Sequence, residues 1–160
     1  MTATTKPSFV YVSYIATTAE KVWQAFVDPE LMRKYWYAPH ENCGGHMNVS
    51  DWQPGSRWEH RSVREPERVD LVGTVVESDP PRRLVYTWAR PSEADDTAKH
   101  SRVAIDIEPH GDGLVRLTVT HDGLEGDPQM LMGISGGWPK VLSNLKTLLE
   151  TGRALPGTGV

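Results

Sequence analysis

Residues 35–52 read YWYAPHENCGGHMNVSDW and contain His40, Cys43 and His46, three side chains that bind transition metals. Imidazole and thiolate are common zinc ligands, and Gly44-Gly45 supplies a backbone supple enough to close them on an ion. A fourth ligand would have to come from Glu41, Asp51 or further away. The three-and-three spacing matches none of the paired spacings of structural zinc sites. We therefore read the segment as a loop between a helix and a strand, and expect no metal. Cys43 as a nucleophile would need a neighbouring base and a lowered pKa. The sequence supplies neither, so no catalytic residue and no cofactor are assigned.

Two other histidines stand among apolar residues. RWEHRSVRE alternates, with Trp58 and His60 on one face and Arg57, Glu59 and Arg61 on the other. LVRLTVTHDGL also alternates, with Val115, Leu117, Val119 and His121 sharing a face. A histidine on an apolar strand face is either satisfied within the core or turned toward a bound molecule as donor, acceptor or acid–base group. Tyr86 and Trp88 share a face of a third strand. Trp36 follows the short helices, and Met130, Ile134 and Trp138 lie on a C-terminal helical stripe. Aromatic groups supply apolar area, and a phenol or indole N–H fixes orientation. Met130 and Met132 add adaptable side chains at an entrance. The candidate ligand-binding set is Trp36, Trp58, His60, Tyr86, Trp88, Val119, His121, Met130, Ile134 and Trp138.

The elements that must position these groups follow from periodicity. FVYVSYIA, 9–16, reads as a strand. Thr17 or Thr18 caps a helix carrying Val22, Trp23 and Phe26, which Asp28-Pro29 ends. Asp28 then caps a second short helix with Pro29 at its first position. Strands follow at GHMNVSDW, RWEHRSVRE, 69–79, 83–90, 102–110 and 114–124, with Gly73 marking a bulge or the close approach of another element. From Asp127-Pro128 to Glu150 the period becomes helical over about 22 residues. Gly136, Gly137 and Pro139 inside this helix predict a kink, and Gly152 a stop. The segment 91–100 is an acidic, turn-rich loop. The fold class expected is α+β: a curved antiparallel sheet wrapped around a long C-terminal helix, with two short helices after the first strand. A cavity between helix and sheet is expected.

A chain of 160 residues forms one domain, placed at 9–152 between flexible ends at 1–8 and 153–160. At 38% apolar and 24% charged it is an ordinary globular composition. A net charge of -4 gives no reason to expect nucleic acid as partner. A single cysteine excludes an internal disulfide framework. MTATTKPSF lacks the pattern of a signal peptide, and no run suits a membrane span. The expectation is a cytoplasmic protein without a membrane partner. Exposed sheet edges and the aromatic stretch 35–37 allow a homodimer.

Four segments resemble, in order, the helix-grip, START-like proteins of the SRPBCC superfamily, in the group named for the activator of heat-shock-protein ATPase. VWQAFVDPELMRKYW is similar to that group's helix pair. DWQPGSRW is similar to its hairpin, with Ser56 in place of a second glycine. GTVVESDPPRRLVYTW is similar to its strand pair joined at a proline turn. HDGLEG followed by GWPKVLSNLKTLLETG is similar to its last strand and gripping helix. The resemblance spans about residues 9–152. It implies a cavity that binds a small apolar molecule. A polyketide cyclase or aromatase, with His60, His121 and Tyr86 as its acid–base groups, is a second function class. A chaperone-interacting protein is a third.

Overall fold

The computed structural model describes residues 8–37 and 45–156. His40, Glu41 and Cys43 lie outside the described residues, as do 1–7 and 157–160.

The first strand, β1 (Phe9–Ile15), leads into α1 (Ala19–Val27) and the single turn α2 (Pro29–Met32). Both helices begin at the residues the sequence marks. The Thr18 side chain accepts the Lys21 N–H, and Asp28 accepts the Glu30 N–H with Pro29 directly behind it. The other strands are β2 (His46–Ser50), β3 (Arg57–Ser62), β4 (Val69–Asp79), β5 (Arg83–Trp88), β6 (Ser101–Pro109) and β7 (Val115–Asp122). The 91–100 segment contains two short 3-10 turns. The long helix α3 (Pro128–Thr151) closes the domain.

All seven strands form one antiparallel sheet in the order β1-β7-β6-β5-β4-β3-β2. Alternation decides which face is buried. Val103, Ile105 and Ile107 of β6 and Val115, Leu117, Val119 and His121 of β7 point inward, each almost wholly buried. β5 contributes Leu84, Tyr86 and Trp88 to the same core. On α3, Ile134, Trp138, Val141, Leu142 and Leu145 meet that face at helical spacing.

The expected kink of α3 does not interrupt the helix, which runs unbroken through Gly136, Gly137 and Pro139. Pro139 only withholds the N–H that the Ser135 carbonyl would take. Burial of Trp138, Val141 and Leu142 around it holds the turn. At the other end Gly152 adopts φ 82, and its N–H returns to the Leu148 carbonyl. Only a residue without Cβ takes that conformation freely.

β1 is an edge strand, and α3 covers part of it. Lys146 Nζ donates to the Tyr14 carbonyl at 2.6 Å, and the Ala16 N–H donates to Glu150 Oε2 at 2.8 Å. These contacts satisfy backbone groups that an open edge would present.

The segment after α3 is bonded to the domain as far as Leu155, within the stretch expected to be a free tail. Asn144, fully buried, donates from Nδ2 to the Tyr35 carbonyl at 2.8 Å and accepts the Leu155 N–H on Oδ1 at 2.6 Å. Tyr37 Oη donates to the Leu155 carbonyl at 2.8 Å. Asn144→Leu strands a buried carbonyl and frees the tail. It is expected to cost about 1–3 kcal/mol in urea unfolding and to speed proteolysis after Thr151. Unchanged cleavage would contradict the anchoring role.

Candidate functional site

Between α3 and the sheet lies a dense aromatic interior. Trp58 of β3 is fully buried, and its Nε1–H donates to the Thr87 carbonyl at 2.6 Å. This bond exists because Gly73, opposite Trp58 on β4, has no side chain. A Cβ there would sit 1.8 Å from Thr87 O and 2.4 Å from Trp58 Nε1. The close approach expected at Gly73 is thus the crossing of an indole to the next strand. Trp58 packs edge-on to Tyr86 with centroids 5.0 Å apart, and Trp88 lies 5.9 Å from it. Trp138 reaches down from α3 to meet Trp88 at 5.6 Å and Trp36 at 5.4 Å.

The two histidines expected to face a cavity are held very differently. His121 is bonded at both nitrogens: Trp138 Nε1–H donates to Nδ1 at 3.1 Å, and Nε2 lies 2.8 Å from Ser101 Oγ. Indole is only a donor, so Nδ1 is unprotonated and Nε2 carries the hydrogen. The Nε2–H therefore donates to Ser101, the reverse of what would activate a serine. Burial lowers the His121 pKa to about 4.

His60 Nδ1 is 2.6 Å from Asn48 Oδ1 and donates to it, leaving Nε2 as a bare acceptor. Burial, then the neighbouring His46, lowers the His60 pKa to about 3, against an opposing pull from Asp70. The His46 ring stacks on it at 4.5 Å, and His46 Nε2 is bonded to Asp70 Oδ2 at 2.9 Å. Arg68 also grips Asp70. Among the described residues no group of three or more His, Cys, Asp or Glu is placed to hold a metal ion.

Tyr86 is buried, and desolvation raises its pKa, while hydrogen bonding from the Trp88 indole opposes the shift. Two buried indole N–H groups make no close hydrogen bond among the described residues, that of Trp52 and that of Trp88, the latter lying beside the Tyr86 hydroxyl as its nearest acceptor. Trp52 also holds a positive φ of 55, rare for a bulky residue, and sets its ring edge-on to Tyr86.

One small cleft opens on this interior. Its volume is about 110 Å³, and its lining is Trp36, Trp88, Gly133, Ile134, Gly137, Trp138 and Val141. Four of the ten candidate residues therefore meet there: Trp36, Trp88, Ile134 and Trp138. Trp58, His60, Tyr86, Val119 and His121 lie among the buried residues around it. Met130 packs half-buried at the start of α3, while Met132 is 78% exposed. Reading the sequence missed Gly133, Gly137 and Val141. The signal was present in the four-residue spacing of the glycines and Val141, which places them on one helix face. It also missed Asn48 and Ser101, the polar partners of the buried histidines.

A long C-terminal helix gripped by a seven-stranded antiparallel sheet, closed over an aromatic interior, defines a helix-grip protein. Residues 16–150 match the family described as activator of Hsp90 ATPase homolog 1-like protein, and the chain belongs to that family. Solved structures share the fold. MLL2253 from Mesorhizobium loti is 24% identical with a TM-score of 0.69, over 89% of this chain and 96% of that one. CalU16 from Micromonospora echinospora is 19% identical with a TM-score of 0.66, over 91% and 77%. PFC0360w, an HSP90 activator from Plasmodium falciparum, is 17% identical with a TM-score of 0.68, over 89% and 95%. No curated protein matches the sequence. Among the described residues no helix is long and apolar enough to cross a membrane.

Proposed function

We propose that this protein binds a small apolar or aromatic molecule in the cleft between α3 and the sheet, without transforming it. The supporting observation is the cleft itself, walled by three tryptophans, Ile134 and Val141. Its volume is about 110 Å³. Drug-sized ligands occupy about 300–1,000 Å³, whereas an engineered protein cavity of about 150 Å³ takes benzene. The ligand is therefore a small molecule, or the aromatic end of a larger one.

The cyclase-like alternative has less support. His121 has no free lone pair, and His60, with a pKa of about 3, is a weak base at neutral pH. The chaperone alternative rests on the family's description and on a fold shared with one HSP90 activator.

A thermal-shift screen against monocyclic and bicyclic aromatics, fatty acids and flavonoids tests the proposal. Ligand at 100 times its dissociation constant adds about 2.7 kcal/mol, which raises the midpoint by about 5–10 °C in a domain of this size. A shift of that order with a small aromatic compound is expected. No shift with any class would count against the cleft as a binding site and would direct the search to chaperone pull-down.

A further inference from the structure

Trp138 is a wall of the cleft, and the helix that carries it does little to fix its ring. Between Leu131 and Lys140 only Ile134 and Trp138 are buried. Pro139, the next residue, withholds an N–H from the preceding turn. The indole is held from the sheet instead. Its Nε1–H donates at 3.1 Å to Nδ1 of His121, a residue that does not itself line the cleft. The same imidazole lies edge-on to Trp88, a second wall, with centroids 4.9 Å apart and planes at 72°. One buried ring therefore stands behind two of the three tryptophans of the cleft.

The bond from Trp138 requires one tautomer of His121. Nδ1 accepts the indole N–H only while the ring hydrogen sits on Nε2. Ser101 Oγ, 2.8 Å from Nε2, receives that hydrogen. Both residues are buried. Without the Ser101 hydroxyl, either Nε2–H loses its acceptor or the hydrogen moves to Nδ1 and opposes the indole N–H. Each alternative loses a buried hydrogen bond. Burial also lowers the ring's pKa to about 4, so the Nδ1 lone pair is present at neutral pH. The chain of side chains runs from β6 through β7 to α3, and only its last member, Trp138, reaches the cleft.

We propose that His121, oriented by Ser101, is a positioning residue of the cleft: it fixes the Trp138 indole where a ligand packs against it. The role needs no proton transfer and no contact with the ligand. It deepens the binding role above, rests on it, and names the interaction that controls the same site.

The test has two readouts, one of them independent of any ligand. Indole N–H resonances are recorded on protein with isotope-labelled tryptophan for the wild type, His121→Leu, His121→Gln and Ser101→Ala. Trp138→Phe identifies the Trp138 signal, and circular dichroism checks each fold. Toluene binding is measured on the same proteins by titration calorimetry. Gln keeps an acceptor for the indole and a donor for Ser101, whereas Leu keeps neither. The Trp138 N–H is expected to exchange slowly with water in the wild type and in His121→Gln, and faster in His121→Leu and Ser101→Ala. Toluene should bind His121→Leu about fivefold more weakly than the wild type, the effect of one hydrogen bond. His121→Gln should recover most of that loss, and Ser101→Ala should weaken binding although Ser101 lies outside the cleft. A Trp138 signal unchanged in His121→Leu overturns the positioning role, whether or not toluene binds. Equal losses of affinity in His121→Leu and His121→Gln overturn it too, because the acceptor would then not matter. Should His121→Leu fail to fold, Ser101→Ala decides, and an unchanged signal with unchanged affinity there overturns the role. If the wild type shows the expected Trp138 signal and yet binds no toluene, the binding role above fails and takes this one with it.

Discussion

Replacing Gly73 with alanine is expected to remove a large part of the stability of this domain. The new methyl carbon would stand 1.8 Å from Thr87 O, 2.6 Å from Thr87 C and 2.4 Å from Trp58 Nε1. Two of these atoms are backbone on the neighbouring strand, so no rotamer change relieves the overlap. β4 and β5 would have to separate, and Trp58 would have to withdraw. Withdrawal breaks the indole bond to Thr87 O and leaves a buried donor unpaired, which costs about 1–3 kcal/mol. Overpacking costs about 1–3 kcal/mol more, and larger values accompany backbone shifts. The expected loss is about 4 kcal/mol, against a total of about 5–15 for a typical domain. Urea unfolding monitored by tryptophan fluorescence reads it directly, and a loss below about 1 kcal/mol would refute the contact. Trp58→Phe in the same background should recover only part of the stability, because the Thr87 overlap remains. Gly136→Ala provides the contrast. Its Cβ has free space, so it should stabilise the helix by about 1 kcal/mol.

Acid should unfold the protein earlier than its carboxylates alone would dictate. His60 and His121 have folded-state pKa values of about 3 and about 4, both set first by burial. In the unfolded chain each returns to about 6.5. Between these values the unfolded state binds more protons, so stability falls as pH falls. From pH 6.5 to 5 each histidine withdraws about 2 kcal/mol. Asp70 and Asp127 behave differently, since their folded pKa values are lowered by arginine partners. Their contribution disappears only as pH drops below the ordinary carboxylate range. The interval from pH 6.5 to 5 therefore isolates the histidines. Urea midpoints across it should drop steeply in the wild type and less steeply in His121→Gln. A flat wild-type profile would show that these rings are not buried as neutral bases. His121 has a specific reason to resist protonation, because a proton on Nδ1 would face the Trp138 N–H.

Several parts of this architecture were legible in the residues. Strand faces followed from alternation: Val115, Leu117, Val119 and His121 are all buried, as their two-residue spacing requires. Helix starts followed from capping chemistry at Thr17 or Thr18 and at Asp28, and the structure uses Thr18 and Asp28, whose side chains bond the first free N–H groups. The C-terminal helix was legible from its apolar stripe, and Gly73 was marked as a place where another element comes close. Gly136, Gly137 and Pro139 suggested a kink in α3, and the helix nevertheless runs through them without a break, because a helix-breaking residue reports cost and not compensation. Burial of Trp138 and its neighbours supplied the compensation.

Sequence alone determined the local elements, the inward faces and the family resemblance, since each depends on neighbours along the chain. Only the tertiary structure decided what the inward groups meet. Phe9 pairs with His121 across the whole domain, Trp138 of α3 sets the tautomer of that histidine, and Trp58 donates across Gly73 to another strand. The same holds for the cleft. Its volume is the space left over by side chains from α3, β5 and the end of the short helices, and no one segment carries that quantity. Periodicity assigns a face to a residue, but partners and empty space arise only when distant faces close on one another.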